Sequence, residues 1–393
     1  MSVEVIMSKP AHFHPTDLHA LARIATDATT GVIDMVETIH GTILPPGVVG
    51  AGELRPLTYR ALRGAARLLG DGAGLTLAQV GDVLGRRDDS PQRRAVLSAL
   101  NGLWGDYLDE IDSPLALPMS FQLGEAAEPT GKLAVLVHGL CMNGAGWARA
   151  DGNGGVVDHG AALARDLGYT PVYLTYNSGL HVSTNGRALA TMLDALVGVW
   201  PRPVEELVLI GHSMGGLVIR SAGFYGTAAD LGWLDRLRAV IFLGTPHHGA
   251  DWERRGNLLN VMLDATPYAA PFGRLGKRRS AGITDLRYGN IVDEDWLDRD
   301  RFAHGPDDRC LVPPLPGVEH YAIAATLGLS TDSLRHRLLG DGLVPLDSAL
   351  GRHASAERCL TFDEAHRWIG YGMSHLDLLR LPAVYERLVT WLR

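Results

Sequence analysis

One serine lies in a sequence context that would make it a nucleophile. Ser213 is the centre of the pentapeptide G-H-S-M-G, directly after the apolar, β-prone run at 208–210. A serine on a sharp strand-to-helix turn adopts a strained backbone with positive φ, so the residues two before and two after it must be almost without side chains. Gly211 and Gly215 occupy those positions, and the pattern predicts a nucleophile elbow. Because short motifs recur by chance, a glycine-rich turn with an incidental serine is the alternative.

Such a serine needs a general base, and the chain offers 16 histidines for this role. His375 lies in Y-G-M-S-H-L-D at residues 371–377, after the last predicted strand and before the last predicted helix. His353 precedes that strand, His366 lies close to its end and His212 lies inside the elbow itself. Since functional side chains of a parallel sheet come from loops at the carboxyl ends of the strands, position favours His375.

A third group must orient and stabilise the protonated base. The segment D-G-L-V-P at residues 341–345 offers Asp341, in a loop that follows the strand predicted at 321–325. Asp347 is the rival, six residues on, and Asp363 is a weaker one. A single acidic residue in a loop is usually just solvated, so Asp341 is favoured by its order in the chain, after the elbow and before the candidate histidine.

Two backbone N–H groups must bind the oxyanion that attack by the serine creates. One is the first amide after the serine, that of Met214. The other is expected in the loop after an early strand. The strand predicted at 133–138 leads into His138, Gly139 and Leu140, which makes the Leu140 amide the second donor. His138 is expected to brace this loop by hydrogen bonding rather than to transfer protons.

Other metal-ligating side chains do not form a recognisable site. Two adjacent histidines occur in G-T-P-H-H-G at residues 244–249, but no carboxylate with a recognisable spacing accompanies them. A loop-shaping role is favoured, and neither a metal nor a cofactor is predicted. Cys141, Cys310 and Cys359 show no CxxC or zinc spacing. Scattered thiols are typical of a reducing compartment, while a disulfide between Cys310 and Cys359 stays open.

Charge and hydropathy argue against two classes of partner. The 36 Lys and Arg against 44 Asp and Glu give a net charge of −8. Without a basic stripe, the sequence disfavours binding to nucleic acid and electrostatic docking on anionic membranes. The sequence contains no run of about 18 uncharged apolar residues, so no membrane-spanning helix is predicted. No export signal is recognisable at the start of the chain. A soluble, cytoplasmic protein is therefore expected, with peripheral membrane contact left open.

The elements that would position these residues alternate between strands and helices from about residue 117 onwards. The predicted strands are 133–138, 171–176, 206–211, 239–244, 321–325 and 358–362. The predicted helices between and after them are 157–167, 184–200, 214–225 and 382–391. Most of the strand runs are dense in Val, Ile and Leu without alternation, as expected of parallel strands buried on both faces. The pattern predicts right-handed βαβ crossovers and a doubly wound, mostly parallel sheet of the α/β class.

The chain divides at about residue 115. Residues 1–115 are expected to form an all-helical extension, with helices predicted at 15–43, 56–69, 75–84 and 90–107. It either covers one flank of the main domain or serves as a homodimer or membrane-surface element. Residues 116–393 are the predicted catalytic domain, with an insertion at about 250–317. Apolar residues between 258 and 272 predict either a static cap or a mobile lid over an acyl pocket.

Taken together, five short motifs resemble the α/β-hydrolase family, in its lipase/esterase branch. They are V-x-V-H-G-L at 135–140, G-H-S-M-G-G at 211–216, G-T-P-H-H-G at 244–249, D-G-x-V-P at 341–345 and S-H-L-D-L-L at 374–379. They occur in the family's order and cover roughly residues 117–393, while the helical N-terminal segment resembles extensions on some bacterial members. The resemblance implies a triad of Ser213, Asp341 and His375, with Leu140 and Met214 as oxyanion donors.

The expected function is therefore that of a serine hydrolase that cleaves carboxylic esters through an acyl-enzyme. Its substrate would be a small-molecule or lipid ester. An acyltransferase, a thioesterase or an amidase would use the same triad, and nothing in the sequence separates these activities. A non-catalytic binding protein with the same fold is the alternative of another class.

Overall fold

The computed structural model describes residues 91–124, 128–150, 154–250, 280–299, 307–329 and 340–393. Three of the helices predicted in the N-terminal segment, and the apolar cluster predicted within the insertion, lie outside the described residues. The one N-terminal helix that falls inside them, predicted at 90–107, spans Pro91–Glu110.

Most of the described strands form one mixed sheet. The strands are β1 (Ser120–Leu123), β2 (Lys132–Val137), β3 (Arg149–Ala150), β4 (Val156–Val157), β5 (Thr170–Thr175), β6 (Glu206–His212), β7 (Leu237–Leu243), β8 (Glu319–Thr326) and β9 (Arg367–Tyr371). The large sheet has the order β1-β5-β2-β6-β7-β8-β9, and β3 and β4 form a separate two-stranded pair. Strand β1 pairs antiparallel with β5, whereas the other neighbours in the large sheet are parallel. The predicted α/β class with a mostly parallel sheet is confirmed.

Helices cover both faces of this sheet. They are α1 (Pro91–Glu110), α2 (His159–Leu167), α3 (Val182–Val199), α4 (Met214–Ala228), α5 (Ala281–Tyr288), α6 (Leu346–Ala349) and α7 (Pro382–Leu392). Two apolar cores result, because side chains of the buried parallel strands point alternately to opposite faces. One core contains α3 and α4, and the other contains α2 and α7. The four helices predicted between and after the strands are confirmed as α2, α3, α4 and α7.

The strand predicted at 358–362 is wrong. The structure has a 3₁₀ helix at Ala356–Arg358 followed by irregular chain, in which Phe362 packs edge-to-face on Phe242 at 6.1 Å between ring centroids. The last strand is β9, which pairs in parallel with β8. Both segments are short and apolar, and burial against the flank of a sheet selects the same residue types as burial inside it. Strand β1 was not predicted, since S-F-Q-L is mostly exposed and carries no buried run.

Helix α1 packs into the same core as the sheet. Its Leu100, Leu103 and Leu108 are buried there. The Asn101 side chain donates hydrogen bonds to the Leu97 and Leu115 carbonyls at 2.8 Å and accepts one from the Leu117 amide at 2.8 Å. A buried amide whose hydrogen bonds are satisfied in this way fixes the chain that leads from the helix to β1. Whether residue 115 is a domain boundary stays a prediction.

Candidate active site

The chain turns sharply at Ser213, between β6 and α4. Its backbone has φ +55° and ψ −123°, a conformation that a residue with a side chain rarely adopts. The elbow is tight enough to exclude side chains on both sides of the serine. A Cβ added to Gly211 would lie 2.6 Å from Gly216 Cα, and one added to Gly215 would lie 2.2 Å from the Val137 carbonyl oxygen. The strained turn therefore holds the serine at the carboxyl end of β6.

Asp341 and His375 meet at the same edge of the sheet. His375 Nδ1 donates to Asp341 Oδ2 at 2.6 Å, and the His375 amide donates to the Asp341 carbonyl at 3.1 Å. The other carboxylate oxygen, Oδ1, accepts from the amides of Leu343 and Val344 at 2.9 and 2.8 Å. Both residues are almost fully buried, at 2% and 1% exposure. The carboxylate is thus held in place by backbone donors and fixes the imidazole with its proton on Nδ1, which leaves Nε2 as the basic nitrogen.

The His375 ring lies beside the elbow. The ring centroids of His375 and His212, the residue before the serine, are 4.6 Å apart. A Cβ added to Gly244 would lie 3.1 Å from His375 Nδ1, and the carbonyl of the preceding Leu243 accepts from the Ser213 amide at 2.8 Å. His375 Nε2 is buried and makes no hydrogen bond within the part of the chain that the structure describes, the Ser213 hydroxyl included. In free enzymes catalytic hydrogen bonds of this kind are often long and tighten when substrate binds.

The rival residues are engaged elsewhere. Asp347 lies in α6 and pairs with Arg352 at 3.3 Å, and Asp363 is exposed at the start of a 3₁₀ helix. His353 Nε2 lies 3.2 Å from a carboxylate oxygen of Asp307. Of the candidate acids, the structure brings Asp341 to His375.

The loop after β2 lies against the serine. A Cβ added to Gly139 would lie 3.1 Å from Ser213 Cβ, so only a residue without a side chain fits easily at this point. Leu140 follows at once and is buried, at 1% exposure. On the other side of the serine, α4 begins at Met214, and the amide groups at a helix N-terminus carry partial positive charge. The residues predicted as oxyanion donors therefore flank Ser213 in the fold.

His138 holds this loop in place. Its Nδ1 donates to the Gly139 carbonyl at 2.8 Å, and its Nε2 accepts from the Tyr176 amide at 3.4 Å. The ring stacks on Tyr176 at 4.2 Å between centroids, and the Tyr176 hydroxyl donates to the His138 carbonyl at 2.8 Å. Burial lowers the pKa of His138 to about 4, so the ring is neutral at physiological pH. These contacts link His138 to its own loop and to Tyr176, while its positioning role in catalysis stays a prediction.

His212 has a contact that sequence reasoning missed. Its Nε2 donates to the backbone carbonyl of His375 at 3.2 Å, which ties the elbow to the histidine loop. Burial, and then the nearby His375, hold the pKa of His212 well below its usual range. The ring is therefore neutral and adds no positive charge beside the base. The sequence feature that could have indicated this contact is the position of His212 next to the serine inside the elbow pentapeptide.

The paired histidines shape the loop after β7. The His248 amide donates to Ser348 Oγ at 3.1 Å, and that hydroxyl donates to the Gly249 carbonyl at 2.7 Å. His248 Nε2 donates to the Gly351 carbonyl at 3.1 Å. This loop is therefore tied to α6 and the residues after it, just beyond the Asp341 segment. Across the described part of the chain, no three His, Cys, Asp or Glu side chains converge as metal ligands.

The described end of the predicted insertion is anchored on the sheet domain. The Gly282 amide donates to the Gly179 carbonyl at 3.0 Å. Asp285, fully buried in α5, accepts from His181 Nδ1 at 2.9 Å and from the Val182 amide at 2.8 Å. The choice between a static cap and a mobile lid depends mainly on residues 251–279, which the structure does not describe.

The disulfide left open between Cys310 and Cys359 is not formed, and both thiols are free.

The fold is of the α/β-hydrolase type: a seven-stranded, mostly parallel sheet with a strained serine turn at the carboxyl end of a central strand. Residues 128–297 match the family model described as PGAP1-like alpha/beta domain. No curated protein sequence matches the chain. None of the helices among the described residues is long and apolar enough to cross a membrane.

Solved structures of similar shape include bacterial and fungal lipases and esterases. The mature form of Bacillus licheniformis lipase BlEst2 is 19% identical, with 70% of this chain and 98% of that chain covered and a TM-score of 0.44. A thermophilic esterase from Thermogutta terrifontis is 14% identical, with 70% and 93% covered and a TM-score of 0.38. Lipase B from Aspergillus fumigatus is 11% identical, with 95% and 83% covered and a TM-score of 0.43.

Proposed function

We propose that the protein is a serine hydrolase that cleaves carboxylic esters through an acyl-enzyme. The observation that carries the proposal is the buried Asp341–His375 pair, with its 2.6 Å hydrogen bond, beside the strained turn at Ser213. A nucleophile, a base and a group that orients the base are the parts that acyl transfer requires. All three residues are at most 2% exposed, so their charges act in a water-poor surrounding where electrostatic effects are strong.

In the first half of the reaction, His375 Nε2 takes the proton of Ser213 Oγ as that oxygen attacks the ester carbonyl carbon. Asp341 stabilises the imidazolium that forms. The amides of Leu140 and Met214 donate to the oxyanion of the tetrahedral intermediate. The intermediate then collapses by breaking the bond to the alcohol oxygen, which takes the proton from His375 as it leaves. An ester of Ser213 remains.

In the second half, water replaces the alcohol. His375 Nε2 removes a proton from the water as its oxygen attacks the acyl-serine carbonyl, and the same two amides hold the oxyanion. Collapse returns the proton to Ser213 Oγ and releases the carboxylic acid. His138 and His212 do not compete as bases, because a neutral ring whose pKa lies well below the working pH accepts protons poorly.

This chemistry specifies an ester bond in the substrate but neither its acyl chain nor its alcohol. We propose a small-molecule or lipid ester, with the insertion predicted at about 250–317 acting as a static cap or a mobile lid over an acyl pocket. The free thiols support a reducing, cytoplasmic location.

The decisive experiment measures hydrolysis of p-nitrophenyl esters from short to long acyl chains by the wild type and by Ser213→Ala. Loss of the nucleophile should lower kcat at least about 10⁴-fold. Ser221→Ala is the matched control, since Ser221 lies two turns further along α4 and its buried hydroxyl makes no hydrogen bond among the described residues. It should keep most of the activity.

The position of the activity maximum along the ester series then reports the acyl pocket. A maximum at short chains indicates a confined pocket, and one at long chains a lipase-like pocket. Full activity of Ser213→Ala would refute the proposal. Labelling of Ser213 by a fluorophosphonate without turnover of any ester would instead indicate acyl transfer or amide hydrolysis.

A further inference from the structure

Two adjoining cavities lie away from the catalytic trio, on the face of the sheet covered by α4. The first has a volume of about 260 Å³ and the second about 330 Å³. They share the walls formed by Arg220, Val312, Pro313, Pro314 and Leu360. Ser213, Asp341 and His375 line neither of them. Arg220 therefore borders both cavities.

The first cavity is apolar. Its walls include the side chains of Phe224, Leu315, Phe242 and Phe362. Such a lining gains free energy by removing alkyl surface from water and offers few polar groups to orient a ligand. Ala228, at the end of α4, is exposed where this cavity meets solvent. The chemistry that fits is a hydrocarbon chain.

The wall between the cavities carries a guanidinium without a carboxylate partner among the described residues. Arg220 Nη2 donates to the Val312 carbonyl at 2.7 Å. The acid whose charge acts on it, Asp295, already accepts from three backbone amides, those of Ile291, Val292 and Cys310, at 2.7 to 3.1 Å. Burial lowers the pKa of Arg220 to about 9. A half-buried cation whose acceptor among the described residues is one neutral carbonyl is stabilised by an anion that binds beside it.

The other cations of the second cavity are already paired. Arg309 donates to Asp307 at 2.8 Å, and Arg358 lies 3.5 Å from the same carboxylate. Arg309 also donates to the carbonyls of His247 and Gly289. These two side chains therefore build the wall, and Arg220 is the cation that remains to bind a ligand.

His247 is a second polar side chain of this cavity. His247 lines the second cavity and is fully buried, and neither of its ring nitrogens has a partner in the described part of the chain. Burial and then the charge of Arg220 hold the pKa of His247 well below its usual range, so the ring is neutral. Arg220 and His247 both line the second cavity. Because both ring nitrogens are closed off from solvent, His247 forms an uncharged part of the cavity wall.

We propose that the two cavities form a binding site for a single-chain fatty acid, separate from the catalytic centre. The alkyl chain lies in the cavity beside Phe224 and Leu315. The carboxylate accepts two hydrogen bonds from the Arg220 guanidinium, a planar pairing that matches the fork of the side chain. The proposal does not depend on ester hydrolysis.

The test is calorimetric titration of the full chain with decanoate and with decan-1-ol, which has the same chain length and no charge. Arg220→Gln removes the charge but keeps an amide that can donate to the Val312 carbonyl. It should weaken decanoate binding at least about 10-fold and leave decan-1-ol binding within about 3-fold. Ala228→Trp fills the entrance of the apolar cavity and should weaken both ligands at least about 10-fold.

Two controls keep the result interpretable. Ala229→Trp places the same indole one residue later, at an exposed position that lines neither cavity, and should bind as the wild type does. If Arg220→Gln does not fold, Arg220→Lys keeps the charge and loses the fork, and should weaken decanoate by a smaller factor.

The proposal is refuted if the wild type binds no decanoate at 1 mM. It is equally refuted if decanoate binds the folded Arg220 variant as tightly as the wild type, or if the two tryptophan variants behave alike. Binding that is lost in none of these variants would place the fatty acid in the acyl pocket at Ser213 instead.

Discussion

Replacing Asp341 by Asn tests the roles proposed for the buried pair. In the wild type, Oδ1 accepts from two backbone amides and Oδ2 accepts from His375 Nδ1. The NH₂ of Asn is a donor and cannot face the two backbone N–H donors. The Asn oxygen must therefore take the place of Oδ1, which leaves the NH₂ pointing at His375 Nδ1. A donor at that position forces the imidazole to carry its proton on Nε2, where it cannot accept the proton of Ser213.

The expected loss follows from this change of tautomer. A triad that keeps its geometry but holds the wrong tautomer loses about 10⁴-fold in kcat, which corresponds to about 5 kcal/mol of transition-state stabilisation. KM should change little, since neither Asp341 Oδ2 nor His375 Nδ1 contacts the ester in the proposed mechanism. Labelling of Ser213 by a fluorophosphonate should slow by a similar factor, because it depends on the same proton transfer.

The assay compares kcat and KM for one p-nitrophenyl ester across the wild type, Asp341→Asn and Asp347→Asn. Asp347 is the matched control, a carboxylate six residues away that pairs with Arg352 and should tolerate the change. Circular dichroism establishes that both variants are folded. If Asp341→Asn keeps more than about a tenth of the activity, or if the Asp347 variant is as inactive, the assignment of the acid is refuted.

Two further predictions concern stability. His138 has a pKa of about 4 in the folded protein against 6.5 as its ordinary value, so the unfolded chain binds the proton first as the pH falls. About 3 kcal/mol of the free energy of unfolding should be lost between pH 6.5 and 4, and urea titrations should show a shallower pH dependence in His138→Gln. Asp285→Ala leaves His181 Nδ1 and the Val182 amide without their acceptor and should cost about 3 kcal/mol in the same measurement at pH 7. If His138→Gln shows the same pH dependence as the wild type, the lowered pKa of His138 is contradicted. If Asp285→Ala costs less than about 1 kcal/mol, the stabilising role of the two hydrogen bonds to Asp285 is contradicted.

The sequence predicts the sheet well where a strand is buried on both faces. Runs such as L-V-L-I-G before the elbow are apolar without alternation, and in a parallel sheet burial on two faces demands this composition. The errors fall where burial is one-sided. Residues 358–362 bury Phe362 against Phe242 without joining the sheet, and β1 joins the sheet while staying largely exposed. Composition reports burial, whereas pairing depends on what the rest of the chain brings alongside.

The candidate site shows the same division between local and long-range information. The elbow at Ser213 is predictable, because the glycines that its turn requires lie two residues on either side of the serine, although the atom that excludes a side chain at Gly215 belongs to Val137 in β2. The contact between Asp341 and His375 joins residues 34 positions apart, and only the order of strands in an assumed fold predicts it. The hydrogen bond from His212 to the His375 carbonyl spans 163 positions. It leaves no pattern in the sequence beyond the position of a histidine next to the serine.

The surroundings of each histidine, rather than its residue type, decide which one can act as the base. His138 and His212 are buried, hydrogen-bond to backbone groups and are held in the neutral form mainly by desolvation. A ring in such a place cannot become an imidazolium without an uncompensated buried charge, which is costly. His375 is equally buried, but its Nδ1, unlike those of His138 and His212, hydrogen-bonds to a carboxylate. In the proposed mechanism that carboxylate stabilises the protonated ring, so Asp341 would both orient the base and distinguish His375 from His138 and His212.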